Sequence, residues 1–546
     1  MVIFVTINIA AMGTRVIEIK SKQNGAIYLY EDVSYWDKEK GYSTHKRTCI
    51  GKVGPNGKPI YNKFYKTREK IQELTVDKNK PNEVSSTSLV GETLVLDKVA
   101  SKTGVSNVLK ESFGDTDAKK IIGLAYYQIC RGKALSNAED WLEQRCLSNL
   151  KLSSQRVSEL LERLSDDKIN TFFKLWAQQH ARGGNHLFDL TSISTYGKRN
   201  AYAEYGYNRD GESLEQINLA LLTSCLSGLP LWYEVLPGSM SDKVVLDRVL
   251  SMLNKMEVPK FTFIGDRGFY SEHNLKLLSD NEYRFTIPVP SNVGWQKEMI
   301  SQHRRALVHP ENLIEETENI MYGKTVYKTS DYGRTWYHIY FDPSRKEKVV
   351  TSFMQRIRKA KEELKEEKLI ESHSAWYDKY FIIKGTPARR KVLYNDKAIQ
   401  QFIDNDSCYW VLVSTSAKTA PEALLQYRER NGVEIYFDDE KNLLDLKRLK
   451  NHNEQTVKGK IFLTFVSLII LSQLRKMVSA VDAKKRRYWS EHDMLRKVET
   501  YATVHFEGKY KDVYTTPTAG QRLVFDIFGI PYSFKGENST SETSPK

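Results

Sequence analysis

Residues 261–269 read FTFIGDRGF, an apolar run that stops at Gly265-Asp266. Such a run, closed by a turn, predicts a strand. Ending it on a carboxylate just before a turn and a helix is how α/β sheets present chemical groups at strand ends. Working outward, residues 242–256 predict a helix before this strand, 271–279 a helix after it, and 283–289 (YRFTIPV) another strand. Upstream, 186–190 (HLFDL) is a candidate strand, and 216–225 with 229–236 form a pair around Ser227-Gly228. Three strands followed by alternating helix and strand predict a mixed α/β sheet. Residues 291–405 break that rhythm with β-rich pieces at 325–328 and 335–341 and a charged helix at 350–371, and read as an insertion. The sheet pattern resumes at 409–413 (YWVLV), followed by a long helix from Pro421.

Toward the start, 16–19, 26–30 and 46–53 are short β-rich runs separated by the turn signals Asn24-Gly25 and Pro55-Asn56-Gly57. A polar linker at 77–88 ends this module, and helical periodicity then runs through 93–182, with Gly104 as a break. The expected organisation is a basic β-rich module (1–88), a helical domain (89–183) and the first part of an α/β core (184–290). The insertion (291–405), the second part of the core (406–475), a basic C-terminal region (476–532) and a disordered tail (533–546) complete it.

Composition narrows the class. The chain has 546 residues, 40% hydrophobic and 11% aromatic, which excludes a fully disordered or collagen-like protein. At roughly 150 residues per domain its length suggests three to four domains. Five dispersed cysteines without a CxxC pair argue against a disulfide framework or a structural zinc site and for a reducing compartment. The apolar stretches at 2–11 and 462–474 are too short or too interrupted to span a bilayer, so no membrane role is expected; the first places Met12 as an alternative start, the second reads as a buried helix. The net charge is +14, of which residues 1–88 contribute +6 and 442–512 contribute +7. Two basic flanks around a neutral middle suggest a polyanion partner, most simply nucleic acid; a solvated lysine-rich surface is the alternative. Lys484, Lys485, Arg486 and Arg487 form the densest C-terminal cluster.

Asp189 lies inside an apolar strand pattern and Asp266 terminates one. A strand carboxylate is disfavoured unless it is paired, solvated or metal-bound. Each has an ordinary alternative: Asp266 as a turn residue, Asp189 as an edge-strand residue facing water. Tyr427, Arg430, Glu434 and Lys441 are spaced Y-x2-R-x3-E-x6-K. On an unbroken helix their angles from Tyr427 are about 0°, 300°, 340° and 320°, one arc of about 60°. That stripe is either an ordinary salt-bridged surface or a carboxylate completing a metal site, with a phenol and two cations gripping phosphates beside it.

With 187–192 (LFDLTS), 228–238 (GLPLWYEVLPG) and 264–269 (IGDRGF) in order before that spacing, the chain resembles the DDE transposases of bacterial insertion sequences, in the group with the Tyr-Arg-Glu-Lys signature. The resemblance covers about 93–530. It implies a ribonuclease H-like core, with the insertion between the second aspartate and the glutamate helix. Asp189, Asp266 and Glu434 would be the catalytic carboxylates holding two Mg²⁺ ions, with Mn²⁺ as a substitute. Asp438, Asp439 and Glu440 share the glutamate's helix, but only Glu434 has the signature spacing. Oxygen-only ligation suits Mg²⁺, and two such ions suit phosphodiester displacement. Arg267, Arg430, Lys441 and Tyr427 would contact phosphates. Trp410 is either core or an aromatic that stacks on a flipped base. The implied partners are double-stranded DNA, as terminal inverted repeats and target, and a second copy in a synaptic dimer in the bacterial cytoplasm. The rivals are a metal-dependent DNA nuclease on the same core and a co-opted, non-catalytic DNA-binding protein.

Overall fold

The structure is a computed structural model. It describes residues 14–37, 42–66, 84–317 (apart from 146, 182, 198–199, 209–210 and 241), 319–385, 391–403, 408–449 (apart from 445 and 447), 453–506 and 512–532. The segment at 2–11 and the tail at 533–546 lie outside the described residues. The chain divides into two compact units, Met1–Ser86 with Val504–Val513, and Thr87–Thr503 with Tyr514–Lys546.

In the first unit, β1 (Thr14–Lys20), β2 (Ile27–Asp37), β3 (Tyr42–Val53) and β4 (Pro59–Tyr61) form an antiparallel meander in chain order. The two expected turns close it, with Gly25 and Gly57 at φ 66° and 74°, where a side chain would be strained. Asp32, buried in this sheet, receives Arg15 and Arg47 at 3.0 and 3.2 Å. Of the expected linker, 77–83 lies outside the described residues and 84–88 is strand, within β5 (Val84–Leu89).

The second unit is built on a mixed sheet. Its strands are β6 (Asn185–Thr195), β7 (Gln216–Ser224), β8 (Pro230–Pro237), β9 (Thr262–Gly265), β10 (Arg284–Pro288), β11 (Tyr322–Ser330), β12 (Gly333–Phe341) and β15 (Tyr409–Ser414). They lie in the order β11-β12-β15-β10-β9-β6-β7-β8. β6, β7 and β8 pair antiparallel, and β9 and β10 run parallel to β6, which is the ribonuclease H-like arrangement. The β11–β12 hairpin, expected only as part of an insertion, continues this sheet through β15. The later part of the insertion packs a core of its own around Phe353, Ile357, Tyr380 and Phe381, beside the hairpin of β13 (Phe381–Lys384) and β14 (Lys391–Tyr394), whereas Met299, Ile300 and Leu307 near its start join the main core.

Helices cover the sheet. Gly104, at φ 75°, separates the helices Gly91–Thr103 and Val105–Phe113 as expected. The apolar run at 462–474 lies in the helix Glu454–Ser479, longer than the pattern suggested. That helix is long and apolar enough to cross a membrane, yet Phe462, Phe465, Leu468 and Ile469 are fully buried among the helices and sheet. Phe462 and Phe465 both meet Phe173, with ring centroids 6.4 and 5.3 Å away. The expected helix at 350–371 instead spans Pro343–Lys365. Asp342 caps its start by accepting from Arg345 N at 3.0 Å, and Pro343 supplies the fixed φ of a first helical residue.

The expected long helix from Pro421 needs correction. The long helix from Pro421 is Ala420–Arg428, a tightened step at Glu429–Arg430, then Asn431–Asp438. Arg430 N bonds back to Tyr427 O at 3.1 Å just before Asn431-Gly432, a pair of poor helix formers. A π turn, Asp439–Leu443, follows, with Leu444 N bonding to Asp439 O at 2.9 Å. Regular counting at about 100° per residue therefore does not carry through to Lys441.

Candidate active site

The site begins at the register of β6 and β9. Phe188 pairs with Gly265, so Asp189 and Asp266 are the next residues along two neighbouring parallel strands. A Cβ on Gly265 would stand 2.7 Å from the Phe263 ring and 3.2 Å from Phe269, so glycine allows Phe269 to tuck under the turn that carries Asp266. Asp189 is 7% exposed and lies in a central strand, which removes the edge-strand alternative. Asp266 is a turn residue, as its ordinary alternative has it: its Oδ1 accepts from Arg267 N at 2.6 Å and caps the turn Arg267–Phe269.

One cation joins the two carboxylates. Arg430 Nη2 lies 3.4 Å from Oδ2 of Asp189 and 3.4 Å from Oδ2 of Asp266. Its Nη1 donates to Tyr427 Oη at 3.3 Å. Burial works against the Arg430 charge, but Asp189 and Asp266 outweigh it and raise its pKa. Tyr427 is raised chiefly by burial, so it stays a neutral donor. These two carboxylates fit a hard divalent cation: the donors are oxygens, and a positive group already stands between them. Among the described residues no group of three metal-binding side chains forms. The expected third carboxylate, Glu434, sits on the helix Asn431–Asp438, and its side chain lies outside the described residues. That helix packs against β6 and is anchored by Tyr436, whose hydroxyl donates to Gly228 O at 2.6 Å.

Asp439 is not part of this cluster. It is buried, 2% exposed, and takes two bonds from Arg475, which also reaches Glu491. Glu440's side chain lies outside the described residues.

Beside Asp266 opens a cavity of about 820 Å³ lined by Arg267, Trp410, Tyr427 and Arg430. Trp410 is half-buried: its ring stacks on Tyr340 at 5.3 Å and the residue also lines the cavity. Lys297, Arg345 and Arg428 also line it. Sequence reasoning missed these three. Lys297 and Arg345 lie in the insertion, where no local pattern signals a site, whereas Arg428 was findable as the neighbour of Tyr427.

The remaining expected residues are dispersed. Lys441 is half-buried on the π turn. Lys484, Lys485 and Arg487 are exposed on a turn held by Asp482, whose side chain accepts from the backbone of Lys484 and Lys485. Arg486 points inward, donating to Trp489 O and Val481 O, so it is a strut of that turn rather than an open cation.

Residues 186–470, just over half the chain, match the family described as "Transposase DDE domain". No curated protein matches the chain. Among solved structures it is similar to the piggyBac transposase in its synaptic complex with hairpin DNA. Identity is 13% over 83% of this chain and 87% of that chain, with a TM-score of 0.38.

Proposed function

The chain belongs to the family of transposase DDE domains, and from that premise we propose that it is a Mg²⁺-dependent DNA transposase of a bacterial insertion sequence. It binds the terminal inverted repeats of its element, cleaves at the ends and joins them to target DNA. The observation that carries this reading is the pair Asp189 and Asp266, the first inside β6 and the second just past the end of the neighbouring β9, sharing one cationic nitrogen at 3.4 Å.

In this reading Asp189, Asp266 and Glu434 hold two Mg²⁺, with Mn²⁺ able to replace them. The bound ions supply activation of the attacking water or 3′-hydroxyl and stabilisation of the leaving oxygen. Arg267 and Arg430, beside the cavity, orient the scissile phosphate, and Lys441 contacts a phosphate farther along the strand. Tyr427 hydrogen-bonds a phosphate oxygen through its hydroxyl, which its raised pKa keeps protonated. Trp410 stacks on a base turned out of the duplex. Lys484, Lys485 and Arg487 add backbone contacts, and two copies act together on paired ends in the cytoplasm.

The test supplies a labelled element end with a free 3′-hydroxyl, a supercoiled plasmid and Mg²⁺. A joined product that disappears in Asp266→Asn supports the reading. Cutting without joining would replace it with a nuclease, and DNA binding without metal-dependent cutting with a binding protein.

A further inference from the structure

The helix Pro343–Lys365 leaves the candidate active site and carries a one-sided cationic stripe. Residues 343–361 hold seven Lys and Arg against one acid, Glu347. At about 100° per residue, Arg345, Lys348, Arg356 and Lys359 fall at about 0°, 300°, 20° and 320°, within one arc of about 80°. All four are exposed, while Phe353, Ile357, Ala360 and Leu364 are buried on a separate arc from about 60° to about 120°. The stripe is anchored at both ends of its charge pattern. Arg345 lines the cavity that holds Asp266 and Trp410. Beyond Lys359 the same arc meets the exposed acid Glu366, which would repel phosphate.

Two features distinguish it from a generally basic helix. Arg345 and Lys348 form no ion pair among the described residues, whereas Arg358, on another face, pairs with Glu362 at 3.4 Å. Arg356 is held over the Trp376 ring at 4.0 Å, so its guanidinium is preset. From Arg345 to Lys359 the stripe runs about 21 Å, the rise of about six base pairs of duplex.

We propose that this stripe is a phosphate track, along which about six base pairs of duplex DNA next to the scissile position lie on the insertion helix. It rests on the DNA-cleaving reading above and assigns that site a second, non-catalytic contact. The track is sequence-independent because every member meets phosphate.

The experiment measures affinity for a labelled random-sequence duplex against salt for three full-length proteins. They are wild type, the triple variant Arg345→Gln/Lys348→Gln/Lys359→Gln, and the control Arg358→Gln/Lys365→Gln on another face. Arg356 is retained in the triple variant so that its packing on Trp376 is not disturbed. The triple variant is expected to flatten the log–log slope by about 2 to 3, at about 0.9 per lost contact, and the control to leave it within about 0.5 of wild type. Equal flattening in both, or none in the triple variant, overturns the track. So does a triple-variant deficit on the single strand but not on the duplex. The proposed function fails separately: if wild type cuts no element end with Mg²⁺, or Asp266→Asn still cuts it, that reading falls, and the slopes still judge the track.

Discussion

Asp189 and Asp266 stand one register step beyond the last paired residues of β6 and β9, and each reaches the same Arg430 nitrogen at 3.4 Å. Two carboxylates this close would raise each other's proton affinity without a cation between them. Here the cation is part of the chain.

Replacing either aspartate by asparagine is expected to abolish end cleavage and joining while leaving duplex binding within a few-fold of wild type. A gel assay for cleavage and an anisotropy titration for binding, run on the same preparation, check both halves. Full cleavage by Asp266→Asn would remove it from the catalytic set.

Removing the cation should have a thermal signature. Arg430→Gln leaves Asp189 and Asp266 facing each other, so its melting temperature in a chelator is expected to fall below that of wild type. Added Mg²⁺ should then raise it more than it raises wild type, because a bound cation takes over the neutralisation. Equal Mg²⁺-induced shifts in the two proteins would show that the aspartates do not form the cation site.

Asp439 is a structural acid. Asp439→Asn weakens its two bonds with Arg475 and is expected to cost on the order of 2 kcal/mol of stability. Cleavage per folded molecule should stay within a few-fold of wild type. Denaturant titration and an assay normalised to folded protein separate the two effects, and complete loss of cleavage in a fully folded variant would move the assignment to Asp439.

Burial pushes the His186 pKa down to about 4, and its ring stacks on Phe261 at 4.4 Å. The folded value lies below the unfolded value of about 6.5, so the unfolded chain binds the extra proton between them. Stability from this residue is therefore complete above about 6.5 and falls as pH drops toward 4, by on the order of 3 kcal/mol. In His186→Phe that part of the acid sensitivity should vanish, read as the difference between the two stability profiles from pH 7 to about 4. Parallel profiles would refute the assignment.

Trp410→Ala loses its stacking on Tyr340 but is only half-buried. The expected outcome is a folded protein that nicks the first strand near the wild-type rate and fails at the second-strand step. An unpaired base costs a few kcal/mol, and an aromatic platform returns about 1–3 kcal/mol of it. Parallel loss of nicking and second-strand cleavage, with a melting point several degrees lower, would assign Trp410 to the core alone.

Local sequence determined the strands and their turns. The run FTFIGDRGF, the hairpin around Ser227-Gly228 and the Asn24-Gly25 turn all rest on apolar patterning and φ preferences that neighbouring residues set by themselves. Order along the chain was enough to set Asp189 beside Asp266, because a right-handed β-α-β connection leaves few places for the second strand. Tertiary structure decided what patterning does not encode. The stripe from Tyr427 to Lys441 is interrupted at Arg430, before Asn431-Gly432, and again at the π turn from Asp439, and it is tertiary contact that sets Arg430 against two aspartates of the sheet and Asp439 against Arg475 of another helix. The insertion's hairpin joins the main sheet, and its Arg345 reaches the cavity beside Asp266, through contacts between residues far apart in sequence. Such contacts depend on which surfaces meet after folding, and a one-dimensional period carries no record of them.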